Sequence, residues 1–169
     1  DDRVAARHGG AFCAVRSAWL SARLNEDRET PTVIVMHHPP FEAGIAWMDT
    51  HPTEPWVQRF SDAIAGHTNI VAIWCGHLHR PIAAVWQGIS VTVCGSTSAE
   101  LTLDINMIDA DLPDNRSMVI NGPPALALHR WTDKGLVTFF DIVEDYEVLA
   151  RFDGKMQGLV RHLIDERPE

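Results

Sequence analysis

No stretch of this sequence is long and apolar enough to cross a membrane. Its longest apolar runs fall far short of the roughly 20 residues that a spanning helix needs, so no membrane span is indicated and a cytoplasmic setting is the simplest expectation. Cysteine is scarce, with Cys13, Cys75 and Cys94 the only three in 169 residues. They form no CxxC pair and two of them sit in strand-forming stretches, so buried free thiols are expected rather than a disulfide framework. Positive charge is also in short supply: 14 basic against 23 acidic residues give a net charge of −9. That argues against a partner of the nucleic-acid polymer kind, though a small phosphate ester steered by a local metal is still allowed. No repeat and no clear linker divides the chain. An initiating Met is missing as well. The chain opens Asp1-Asp2-Arg3 in what reads as the middle of a domain, so it is expected to be a fragment: one partial domain over residues 1–169 with a C-terminal appendage from about residue 143.

What is present starts with hydrophobic content: 46% of residues, enough for a real core. Two uncharged, β-rich runs end abruptly in histidine. Thr32-Val33-Ile34-Val35-Met36 runs into His37-His38-Pro39-Pro40, and Ile70-Val71-Ala72-Ile73-Trp74-Cys75 runs into Gly76-His77-Leu78-His79. The lack of charge predicts strands covered on both faces. Between them, Trp56, Val57, Phe60, Ala63 and Ile64 fall at helical spacing from about Glu54 to Ala65, with Thr53 as N-cap and Gly66 as stop. Strand, helix, strand is a crossover, so the two strands should be parallel. Their C-terminal ends then share the sheet edge where open α/β folds bind ligands. If the chain stays extended past Cys75, His77 and His79 leave the backbone on the same side.

Elsewhere, Phe12, Val15, Trp19, Leu20 and Leu24 predict an amphipathic helix from Phe12 to about Asn25, packed on the sheet with Arg16 and Arg23 outward. Residues 41–52 mix Phe41, Ile45, Trp47 and Met48 with Gly and Pro, and two readings stand. The loop is the wall or lid of a pocket, or it is tucked against the core or a neighbouring subunit of a homo-oligomer. Ile82–Trp86 and Ile89–Cys94 flank Gln87-Gly88 as a hairpin. Residues 109–115 make a solvated acidic loop without EF-hand spacing. Two further strands, 125–131 and 136–142, are joined through residues 132–135. Met156, Leu159, Val160, Leu163 and Ile164 line one face of a last helix.

A single histidine ending a strand is usually structural, but four at two parallel strand ends suit divalent metal or phosphate chemistry. His8, His51, His67, His129 and His162 lack this context and are read as surface or packing residues. In Met36-His37-His38-Pro39-Pro40-Phe41 followed by Cys75-Gly76-His77-Leu78-His79, the chain resembles the C-terminal half of the calcineurin-like metallophosphoesterases. The nearest branch is the bacterial cyclic-nucleotide and glycerophosphodiester phosphodiesterases, whose later parts also resemble residues 41–49 and the run from Gly122-Pro123-Pro124 to Leu128-His129-Arg130-Trp131.

This resemblance implies an α/β fold, the C-terminal half of an α/β/β/α sandwich, with a βαβ unit (strands near 32–36 and 70–75) and antiparallel strands after it. It implies a hydrolase with two divalent ions, of iron, manganese or zinc, acting on a small phosphodiester. His37 and His77 would bind one ion and His79 the other. His38 would be the catalytic or pocket residue, and Phe41, Trp47 and Met48 the pocket or lid. The family's D-x-H, G-D-x-x-D and G-N-H-D/E motifs do not occur before His37. Asp49-Thr50-His51 matches the first as a string but follows the wrong strand. Half of a dinuclear site is therefore expected. The competing readings are a metallophosphoesterase-like binding scaffold and a one-metal hydrolase built on His37, His77 and His79.

Overall fold

The computed structural model describes residues 9–168; His8 and the opening Asp1-Asp2-Arg3 lie outside them. Helix α1 (Ala14–Glu26) leads into strand β1 (Thr32–Val35), helix α2 (Pro55–Ile64) and strand β2 (Ile70–Cys75). Strands β3 (Ile82–Trp86) and β4 (Ile89–Val93) follow, then short β5 (Glu100–Leu101) and β6 (Val119–Ile120), the hairpin β7 (Ala125–Thr132) and β8 (Gly135–Ile142), and helix α3 (Gln157–Asp165). The main sheet has the order β1-β2-β4-β3, with β2 parallel to both β1 and β4 and β3 antiparallel to β4. This is mixed α/β architecture, as expected. The β3–β4 turn uses Gln87 and Gly88, both left-handed (φ 50° and 80°), as a two-residue turn requires.

Helix α2 buries all five of its expected residues. It lies on the sheet face that carries Ile34, Ile73, Val91 and Val93, and Phe60 meets Phe12 edge-on and stacks on Trp86, each at 5.7 Å between centroids. The cap differs from expectation: Glu54 is the N-cap and Pro55 opens the helix, while the Thr53 hydroxyl is taken by His51 Nδ1 at 2.7 Å. Pro at the first helical position sacrifices no intrahelical bond. Gly66, at φ 75°, ends the element as read.

Helix α1 packs on α2, with the Ser21 hydroxyl donating to the Ala63 carbonyl. Its buried Leu20 and Leu24 join the core cluster that holds Ile34 and Ile73 of the sheet. Val15 and Trp19, expected on the same apolar face, are exposed. The expected covering of both sheet faces holds for β2 but not for β1, where Val35 is 73% exposed. On the opposite face, His129 of the β7–β8 hairpin stacks on Trp74 at 3.8 Å. All three cysteines are unpaired, but only Cys75 is buried. No described helix is long and apolar enough to cross a membrane.

Candidate metal centre

The parallel ladder continues past its strands. Met36 N–H donates to the Trp74 carbonyl (2.9 Å) and Gly76 N–H to the His37 carbonyl (3.0 Å), so the two histidine segments lie side by side at one sheet edge. Pro39 and Pro40 are fully buried just beyond, anchoring the chain as it leaves β1. His37 is exposed, His38 half-buried and His77 buried. Their ring centroids stand 4.8 Å (His37–His38), 5.4 Å (His37–His77) and 4.2 Å (His38–His77) apart. One ring nitrogen from each lies within 4.8 Å of the others. Gly10, left-handed at φ 85°, brings the main chain before α1 against His38: a Cβ there would stand 2.8 Å from the His38 Cγ. Any side chain at position 10 would displace that imidazole.

The second segment does not stay extended. His77 and His79 are both left-handed, at φ 68° and 51°, so the alternation that put them on one side does not apply. For non-glycine residues this conformation costs roughly 1–2 kcal/mol each. The burial of Leu78 between them and one ring-to-carbonyl bond from each imidazole hold it. A carbonyl can only accept, so each of these bonds assigns a tautomer. His77 Nε2 donates to the Met48 carbonyl (3.0 Å), which leaves the neutral ring's lone pair on Nδ1. His79 Nδ1 donates to the Ala99 carbonyl (2.9 Å), which leaves its lone pair on Nε2. Arg80 braces that acceptor segment through the Leu101 carbonyl and the Glu100 carboxylate, both at 2.7 Å.

The close trio is therefore His37, His38 and His77. His79 stands outside it and lines a cleft of about 300 Å³ with Pro81, Ser96, Glu100 and Asp141. Cys75 is adjacent in sequence, but burial pushes its thiol up to about 12, so it is not a ready thiolate donor. Three imidazoles suit zinc, iron or manganese. Donors sharing one ion at 2.0–2.1 Å stand at most ~4.2 Å apart, so the trio has to draw in slightly to hold a metal.

Residues 41–52 reach this site by their backbone. Of the two readings of this loop, the tucked-in one describes Ile45 and Met48, which are 2% and 7% exposed and belong to the core, with Phe41 and Trp47 half-buried against it. Asp49 accepts from Ala43 N–H and Gly44 N–H (2.9 and 2.7 Å) and closes the loop, which accounts for the Asp49-Thr50-His51 string structurally. His51 sits near Glu42 at the surface, and His162 beside Glu166. His67 and His129 are both held below their usual value, chiefly by burial. The carbonyls of Met48 and Ala99 and the close approach of Gly10 are the features sequence reasoning missed. Backbone groups carry no residue signature.

The chain is 28% identical over 148 residues to the probable glycerophosphodiester phosphodiesterase GpdQ of Arcobacter nitrofigilis, covering 87% of this chain and 52% of that protein. It is 32% identical over 109 residues to a probable cyclic nucleotide phosphodiesterase of Rhodopseudomonas palustris, covering 62% and 38%. The 3′,5′-cyclic adenosine monophosphate phosphodiesterase CpdA of Escherichia coli K12 is 23% identical over 137 residues, covering 79% and 50%. The chain is a homologue of the calcineurin-like metallophosphoesterases. No protein-family model matches it. It spans about half the length, or less, of these metallophosphoesterase relatives.

Proposed function

We propose that this metallophosphoesterase homologue serves the metal-dependent hydrolysis of small phosphodiesters, of the cyclic-nucleotide or glycerophosphodiester type. The observation that carries the reading is the His37, His38 and His77 donor set at the ends of β1 and β2, in a chain whose relatives are named phosphodiesterases. His37 and His77 would hold one divalent ion, His77 through Nδ1, and His79 would serve a second through Nε2. Iron, manganese and zinc all suit such nitrogens. When bound, the metal polarises the phosphoryl oxygen and makes water a competent nucleophile near neutral pH. His38, between exposed His37 and buried His77, offers its imidazole to the phosphate. Water adds its oxygen to phosphorus, one P–O bond to an alcohol oxygen breaks, and that oxygen takes up the proton. The three unpaired thiols fit a reducing, cytoplasmic compartment.

One feature favours a second reading, that of a binding scaffold: the trio contains no carboxylate. Histidines alone leave paired cations under-neutralised, so a second ion should bind weakly and turnover by this chain should be slow. The test is hydrolysis of bis(p-nitrophenyl) phosphate and calorimetric titration with Mn²⁺ or Zn²⁺, with His77→Ala beside His162→Ala. We expect metal uptake and slow turnover that His77→Ala abolishes and His162→Ala leaves intact. A wild-type chain that takes up neither ion overturns the enzyme reading and leaves the scaffold.

A further inference from the structure

We infer that Asp49 is a positioning residue for His77: its carboxylate holds the loop whose Met48 carbonyl fixes the His77 tautomer, and so decides which nitrogen faces the metal. This rests on the metal reading above and adds to it a residue outside the histidine set.

Five contacts carry the inference. Both Asp49 oxygens are used, Oδ1 by Ala43 N–H at 2.9 Å and Oδ2 by Gly44 N–H at 2.7 Å. The Ile45 carbonyl accepts from Met48 N–H and Asp49 N–H, at 2.8 and 3.0 Å. Residues 43–49 are thus tied by their own ends, and Gly44 takes the left-handed φ of 91° that the closure needs. Ile45 and Met48 pin the ring to the core. The peptide following Met48 is the one whose oxygen, at 3.0 Å, accepts from His77 Nε2. That same residue's next neighbour is the clamp. Loss of the carboxylate frees two N–H groups and opens the 43–49 ring on the side of Ala43 and Gly44, which loosens the hold on the 48–49 peptide whose carbonyl meets His77.

Carbonyl or carboxylate partners to a ligand's other nitrogen typically contribute 10–100-fold to metal affinity. Here the partner is a carbonyl, and the carboxylate acts one step further out by holding it.

A second clamp of the same chemistry provides the control. Asp27 accepts from Glu29 N–H and Thr30 N–H, both at 2.9 Å, and from the Thr30 hydroxyl, in the turn between α1 and β1. That turn precedes β1, whereas the histidines follow it.

The experiment uses the full chain, with ¹⁵N-labelled histidine. In the metal-free wild type, long-range ¹H–¹⁵N spectra should show His77 protonated at Nε2. Asp49→Ala should give a mixture of tautomers, and Zn²⁺ affinity by calorimetry should fall 10–100-fold. Asp49→Asn, which keeps one acceptor oxygen, should lose less. Asp27→Ala, though it also loosens a loop, should leave tautomer and affinity as in the wild type. An Asp49→Ala chain that is folded by circular dichroism and shows an unchanged His77 tautomer overturns the inference, as does a wild type protonated at Nδ1. If the wild type binds no Zn²⁺, the metal reading fails by itself, and the tautomer spectra still decide the role of Asp49.

Discussion

Residues 14–101 and residues 102–168 use similar amino acids to opposite effect. Every buried side chain among the described residues lies in the first region, between Leu20 and Leu101. In the second, Leu128, Trp131, Phe139 and Phe140 are all exposed, although β7 and β8 pair in register over their whole length. Backbone pairing therefore forms the hairpin without burying it. A two-stranded hairpin alone is marginal in water, so its attachments matter: the Trp74–His129 stack, the Ala125 N–H bond to the Ser96 carbonyl, and the close approach of Ala125 to Gly95. A sheet becomes stable through what covers it.

Paired substitutions would break this comparison most directly. Phe60, 1% exposed and touching both Phe12 and Trp86, should cost about 3–5 kcal/mol on change to Ala, read from urea unfolding. Phe139→Ala, at a half-exposed site, should cost about 1 kcal/mol or less. Equal losses would mean that the hairpin is covered in solution.

Acid sharpens the same contrast. Burial holds His129 below its usual 6.5, so the unfolded or detached form takes up the proton first. The stability that His129 lends is then whole above pH 6.5 and is lost as pH falls from 6.5 toward the lowered value. Relative to the intrinsic exchange rate, which itself falls with pH, the protection of β7 amides should drop between pH 7 and pH 5, while that of β2 amides holds. His129→Phe, which keeps a ring on Trp74, should flatten that response. His67 shifts in the same direction but lies beside Arg28, away from the hairpin, so it cannot mimic a β7-specific change.

The smallest effect belongs to α3, which buries no residue. Removing residues 153–169 should move the unfolding midpoint by less than about 2 °C in a thermal melt. A larger drop would show that its apolar face is packed, and would join the second region to the first.

Much of this was legible from local pattern. The αβ alternation, the parallel pairing of β1 with β2, the five buried positions of α2 and the β3–β4 turn follow from periodicity and turn chemistry, which act between neighbouring residues. The histidines at two parallel strand ends were legible in the same way, as candidate metal donors. Misreadings came where a side chain's surroundings are set from afar. Val15 and Trp19 share a helical stripe with Leu20 and Leu24, yet only the latter two are buried.

The candidate site divides in the same way. Sequence by itself determined that His37, His38, His77 and His79 reach one sheet edge, because strands and a crossover helix are short-range structures and parallel strands end together. Only the tertiary structure decided that His37, His38 and His77 close up while His79 stands apart, and which nitrogen each of His77 and His79 presents. Those choices are made by the carbonyls of Met48 and Ala99, 29 and 20 residues from the rings they hold. Every residue has a carbonyl, so only folding selects which one a histidine meets.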